Sequence, residues 1–132
     1  MNNEPKILIV EDDGITKSIY AAYFKCYWCS IDIVESAERG LEVFDKKEYD
    51  FLLVDVRLPQ MNGFDFSRCI RLKKRGQDIP IIGVSAIAFF LVEDEFHSSG
   101  MNEYIDKPFT FSLIESLFGR YHLYLRPKIL DI

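Results

Sequence analysis

Two segments of this chain, Ile7-Leu8-Ile9-Val10 and Phe51-Leu52-Leu53-Val54, carry no polar residue on either face of the strand each would form. A strand buried on both faces belongs in a parallel sheet covered by helices, not in a hairpin with one wet face. Short β-branched or aromatic runs recur at Ile31–Val34, Ile81–Val84 and Tyr104–Ile105, which gives five predicted strands. Between them lie stretches of helical length, Gly14–Tyr27, Ala37–Lys46, Gly63–Arg75, Ala88–Ser98 and Thr110–Phe118, several with apolar residues three and four apart. Strict alternation with right-handed crossovers predicts a three-layer α/β domain built on a doubly wound, five-stranded parallel sheet.

The chain has 132 residues, 48% of them apolar, which suits a single core. Residues 1–120 are expected to form the domain. Residues 121–132, where Tyr121, Leu123, Leu125, Ile129 and Leu130 are interrupted by Pro127, are expected to extend the last helix, fold back, or pair with another chain. With 21 acids against 16 bases the net charge is -5, which argues against binding to nucleic acid or to anionic lipid. Cys26, Cys29 and Cys69 are too few for a disulfide framework. Met1–Lys6 has no apolar signal core and the nearly apolar run Ile81–Val92 is too short to span a bilayer. The expectation is a cytoplasmic chain with no membrane partner.

In open parallel sheets, sites form beyond the carboxyl ends of the strands. After the first predicted strand come Glu11, Asp12 and Asp13; after the third, Asp55; after the fourth, Ser85; just after the fifth, Lys107-Pro108. Carboxylates brought together repel unless a cation neutralises them, and Mg²⁺ suits oxygen ligands drawn from one or two carboxylates, waters and phosphate. Asp55 is placed to attack phosphorus as a carboxylate nucleophile, while Ser85 offers a hydroxyl donor and Lys107 a mobile positive charge. The chemistry that asks for this set is phosphoryl transfer.

These residues, in Ile7-Leu8-Ile9-Val10-Glu11-Asp12-Asp13, Val54-Asp55-Val56-Arg57-Leu58-Pro59, Met61-Asn62-Gly63, Val84-Ser85-Ala86 and Tyr104-Ile105-Asp106-Lys107-Pro108-Phe109, resemble the receiver domain of two-component response regulators, over about Lys6–Phe118. The resemblance implies a flavodoxin-like sheet in the order 2-1-3-4-5. It implies that Asp55 accepts a phosphoryl group from a sensor histidine kinase or histidine phosphotransfer protein. Mg²⁺ would be held by Glu11, Asp12, Asp55 and the backbone carbonyl of Arg57; Ser85 and Lys107 would contact the phosphoryl oxygens, and Tyr104 would move inward as the switch. Such a domain is not a conventional enzyme: it assists only its own phosphorylation and dephosphorylation. The chain departs from the family pattern where Ser85 replaces the common threonine, Asn62 stands where aspartate often precedes the glycine, and Glu11 lengthens the first acid. Arg57 and Ile87 would flank the phosphate, with apolar Ile87 limiting attack by water.

In the fourth predicted helix Phe89, Val92 and Phe96 share an inward face, leaving Phe90 and Leu91 outward as a partner surface for a downstream protein target or a homodimer. Asp13 reads as a helix cap. Cys26-Tyr27-Trp28-Cys29 has no second pair to complete a metal site, so its thiols read as structural. His97 and His122 stand without a companion nucleophile. Arg68, Arg71, Lys73, Lys74 and Arg75 suit the end of the third predicted helix. Two other functions compete: an interaction scaffold that is never phosphorylated, and an aspartate-based phosphatase, which needs a second acid where Arg57 stands. A flavin-binding flavodoxin is disfavoured by the acidic loop after the first strand.

Overall fold

The structure is a computed structural model and describes residues 4–128. Five strands form the main sheet: β1 (Lys6–Val10), β3 (Ser30–Val34), β4 (Phe51–Asp55), β5 (Ile81–Ser85) and β6 (Glu103–Asp106). Their order is β3-β1-β4-β5-β6, with every neighbouring pair parallel. Since β2 (Tyr27–Trp28) lies outside this sheet, that is the doubly wound 2-1-3-4-5 order. Helices α1 (Gly14–Phe24), α2 (Ala37–Lys46), α3 (Gly63–Arg71), α4 (Glu93–Ser99) and α5 (Phe111–Arg120) alternate with the strands.

The period-two alternation of side chains divides the core into two layers. Leu8, Val10, Leu52, Val54 and Ile81 face Phe44 of α2 and Phe66 and Ile70 of α3. Ile7, Ile9, Phe51, Leu53 and Ile82 face Tyr20 and Phe24 of α1 and Ile114, Leu117 and Phe118 of α5. Every residue of β4 and β5 is buried, as their composition demands. Side-chain caps start four helices: Asp13 accepts from the Thr16 N–H, Ser36 from Arg39, Asn62 from Asp65, and Thr110 from Leu113.

The helices depart from expectation at their ends. The first stops at Phe24, because Tyr27 and Trp28 leave it to pair antiparallel with β7 (Arg126–Pro127). Cys26 and Cys29 therefore flank a short strand. The third stops at Arg71 and yields to a 3-10 turn over Lys74–Gly76. Gly76 packs so tightly on the Ile70 backbone that an added Cβ would sit 2.0 Å from its carbonyl oxygen. The fourth splits into a 3-10 turn, Phe89–Leu91, and α4, because buried Val92 takes a non-helical backbone (φ -128, ψ 15) between them.

Four of the five residues of the basic run, Arg68, Arg71, Lys73 and Arg75, are engaged within the molecule. Arg71 donates to the carbonyls of Gly76, Ile79 and Gly100 and to Asn102 Oδ1. Arg75 donates to the Phe44 carbonyl at the end of α2, Arg68 pairs with Asp65, and Lys73 pairs with Asp45. His97 packs against Phe89 and Phe96. After α5 the chain reverses at His122 (φ 62), Leu125 is buried, and the Lys128 N–H donates to the Cys26 carbonyl at 2.8 Å. Of the predicted tail, Ile129 and Leu130 lie outside the described residues, as do Met1–Asn3 at the other end.

Candidate functional site

The sheet brings the acids together at its carboxyl edge. Glu11 follows β1 and is 1% exposed; Asp55 ends β4 and is 7% exposed; Asp12 is open to solvent. One carboxylate oxygen from each of the three lies within 4.8 Å of the others, the one such metal-capable group among the described residues. Lys107, just past β6, reaches in from the opposite side. Its Nζ stands 3.1 Å from Glu11 Oε1 and 3.3 Å from Asp55 Oδ2.

Backbone amides fix both buried carboxylates. The Arg57 N–H donates to Asp55 Oδ1 at 3.0 Å, and the Asp13 N–H to Glu11 Oε2 at 3.1 Å. The first of these adds an amide contact to the carbonyl and phosphate-flanking roles that the sequence suggests for Arg57. Gly63 is an omission. The Gly63 N–H donates to the Val56 carbonyl at 2.9 Å, and a Cβ there would lie 2.6 Å from the Asp55 carbonyl oxygen. The glycine of Met61-Asn62-Gly63 lets the loop after Asp55 close against the strand that carries it. The signal was present in the motif, but its reason is a tertiary approach.

Ser85 ends β5, the strand beside β4. Asp55 pairs with Val84, so Ser85 sits one residue beyond it along the edge. The Ser85 Oγ accepts the Ile87 N–H at 3.0 Å, and its carbonyl accepts the Lys107 N–H at 2.8 Å, which ties hydroxyl and lysine to one another. Tyr104 on β6 is half-buried among Phe89 and Phe96, at centroid separations of 5.3 and 6.3 Å, and its hydroxyl donates to the Ile87 carbonyl. Phe90 and Leu91 point outward, 77% and 64% exposed, beside half-buried Phe89 and Phe96.

The electrostatics follow from burial and crowding. Burial, then the hydrogen bond and charge of Asp55, push the Glu11 carboxyl up from its ordinary 4.5 to about 7, against the pull of the Asp13 amide and Lys107. Burial alone would lower the Lys107 ammonium, but Asp55 and Glu11 outweigh it and hold it above its ordinary value. Tyr20, absent from the sequence reading of the site, lies beneath it: burial and the charges of Glu11 and Asp55 push its hydroxyl well up. The oxygen-only donor set of Glu11, Asp12 and Asp55 fits a hard divalent cation.

A doubly wound parallel sheet with acids, a hydroxyl and a lysine gathered around one strand-end aspartate defines the class of open α/β domains whose site lies beyond the carboxyl ends of the strands. The model of the response regulator receiver domain family matches residues 7–118, and the chain belongs to that family. Among relatives, the probable histidine kinase 1 of Oryza sativa subsp. indica is 26% identical over 91% of this chain, and two-component response regulator 24 of Arabidopsis thaliana 27% identical over 90%. The chain covers 85% of the Arabidopsis protein but only 16% of the rice one, and 15% of the aerobic respiration control sensor protein ArcB of Escherichia coli, 24% identical over 87% of this chain.

Solved structures agree on the fold. The receiver domain of the sensor histidine kinase PA1611 of Pseudomonas aeruginosa, crystallised with a magnesium ion coordinated in its active site cleft, superposes with a TM-score of 0.83 at 27% identity, covering 89% of this chain and 97% of that one. The chemotaxis response regulator CheY4 of Vibrio cholerae gives 0.83 at 19% identity, covering 90% and 99%.

Proposed function

We propose that this chain is a phosphoacceptor signalling domain that takes a phosphoryl group onto Asp55 from a phosphohistidine on a sensor histidine kinase or histidine phosphotransfer protein. The observation that carries this reading is Lys107 bridging Glu11 and Asp55 while Asp12 completes the acid group. An Asp55 carboxylate oxygen forms the new O–P bond as the P–N bond to the imidazole breaks. The ring nitrogen keeps the electron pair and takes a proton from solvent, and an acyl phosphate remains on the protein. Lys107 and the Ser85 hydroxyl serve as donors to the phosphoryl oxygens, where charge shifts during transfer.

Glu11, Asp12, Asp55 and the Arg57 carbonyl would hold Mg²⁺. The ion would supply the positive charge that lets carboxylates and phosphoryl oxygens share the pocket. The magnesium reported in the PA1611 receiver supports this assignment. Tyr104 is the switch: its hydroxyl bonds the segment just past Ser85, so a pull on Ser85 toward a phosphate reaches the ring. The output surface is the one bearing Phe90 and Leu91, facing a downstream protein or a second copy of the chain. The domain assists only its own phosphorylation and dephosphorylation and works in the cytoplasm. Its three cysteines are free, and no helix among the described residues is long and apolar enough to cross a membrane.

The test is incubation with Mg²⁺ and acetyl phosphate, followed by intact-mass measurement. The parent is expected to gain one phosphoryl group and Asp55→Asn none. No gain in the parent would favour a scaffold that works without phosphorylation.

A further inference from the structure

At the amino end of the sheet, the pole opposite Asp55, the segment after α5 straps itself across the chain. Strand β7 pairs with β2, and the Lys128 N–H adds a bond to the Cys26 carbonyl. Arg126 and Lys128, two residues apart and hence on one side of the strand, both cover the Trp28 ring, with Cζ at 5.2 Å and Nζ at 4.7 Å from its centre. Buried Leu125 anchors the approach. The ladder has only two residue pairs, so it belongs to the part of the fold that opens at less cost than global unfolding.

Two runs of rings lead back to the site, one from what the strap docks on and one from the start of the strap itself. The outer run goes from Tyr27 on β2 to Tyr23 at 5.1 Å, then to Phe111 stacked at 3.9 Å, then to Phe109 at 6.1 Å. The Tyr27 hydroxyl adds a bond to Glu115 of α5 at 3.0 Å. The inner run passes from Tyr121 to Phe51 at 6.1 Å, Phe118 at 4.3 Å, Phe24 at 6.1 Å, Tyr20 at 6.4 Å and again Phe109 at 6.0 Å. Both runs end two residues from Lys107, which touches Asp55 and Glu11.

We propose that residues 121–128 form a strap coupled to the phosphoacceptor site: docked on β2 it clamps α1 against α5, which seats Phe109 and Lys107 for action on Asp55, and phosphorylation of Asp55 tightens the strap in return. The proposal rests on the phosphoacceptor reading above. Close-packed rings shift as units, not by continuous yielding. A coupling between binding equilibria is reciprocal, so each end must report the state of the other.

The experiment uses the full chain. Amide hydrogen exchange at Trp28 and Lys128, together with the emission of Trp28, the chain's single tryptophan, is followed before and after treatment with acetyl phosphate and Mg²⁺. Exchange is expected to slow by about twofold to thirtyfold on phosphorylation, the range of couplings carried through packed side chains. In the reverse direction, Lys128→Pro removes the donor to Cys26, and Arg126→Gln with Lys128→Gln strips the cations from Trp28. Either release is expected to slow phosphorylation of Asp55, because Phe109 and Lys107 then lose their seat. A parent that gains phosphate with unchanged exchange overturns the coupling alone, and so does a variant with a released strap and the parental rate. A parent that gains no phosphate overturns the phosphoacceptor reading and the coupling together. The measurement on the parent stands even if a variant fails to fold.

Discussion

Lys107 sits between two buried carboxylates, and its charge competes there with any cation that enters. Removing it leaves the acids with more unsatisfied negative charge, so Lys107→Met is expected to bind Mg²⁺ about tenfold more tightly, as a close charge screened mostly by water would give. Calorimetric titration measures this; weaker binding would mean that Lys107 organises the acids and does not compete for them. Ile87 is apolar at a position held from two sides, its N–H donating to Ser85 and its carbonyl accepting from Tyr104. On the proposed reading, Ile87→Glu would place a base next to the phosphoryl group and is expected to hasten loss of phosphate from Asp55 by about tenfold or more. Decay followed by intact mass would show it, and an unchanged half-life would remove Ile87 from the control of lifetime.

Among the elements, α3 and its surroundings depend on one side chain. Arg71 donates to three carbonyls and to Asn102, which fixes the turn after the helix and the entry to β6. Arg71→Met leaves those acceptors without their charged donor and is expected to cost about 2 kcal/mol in urea unfolding. Leu72→Ser, next door but 85% exposed, should stay within about 0.5 kcal/mol. Nothing in the sequence singled out Arg71 from Lys74 or Arg75. What was legible had a local cause: both-face apolar runs marked β1 and β4, and Asp13 marked the start of α1. What was not legible had a partner far along the chain. Tyr27 and Trp28 carry no periodicity that two residues could show, and their strand exists only because Arg126 and Pro127 arrive beside them. The non-helical backbone at Val92 (φ -128, ψ 15) is likewise concealed by the helical pattern of Phe89, Val92 and Phe96. At the site, strand-end residues were readable because strand ends converge, whereas the Arg57 amide contact and the close approach at Gly63 depend on how the loop after Asp55 folds back on its strand.

For the whole molecule, the site trades stability for chemistry. With its carboxyl raised to about 7 from 4.5, Glu11 holds more proton in the folded than in the unfolded chain across that window. Folding stability of the metal-free protein is therefore expected to fall as pH rises from about 4.5 to about 7. Thermal unfolding in chelator should show that slope, Glu11→Gln should flatten it, and Mg²⁺ should offset the loss most above pH 7. A flat parent profile would mean that Glu11 is not strained by its neighbours. The acids, hydroxyl and lysine come from four strand ends that only the finished sheet brings to one edge. On the proposed reading, a nascent or damaged copy presents a donor with scattered tripeptides, so the message can be written only on a molecule that has already passed its own inspection.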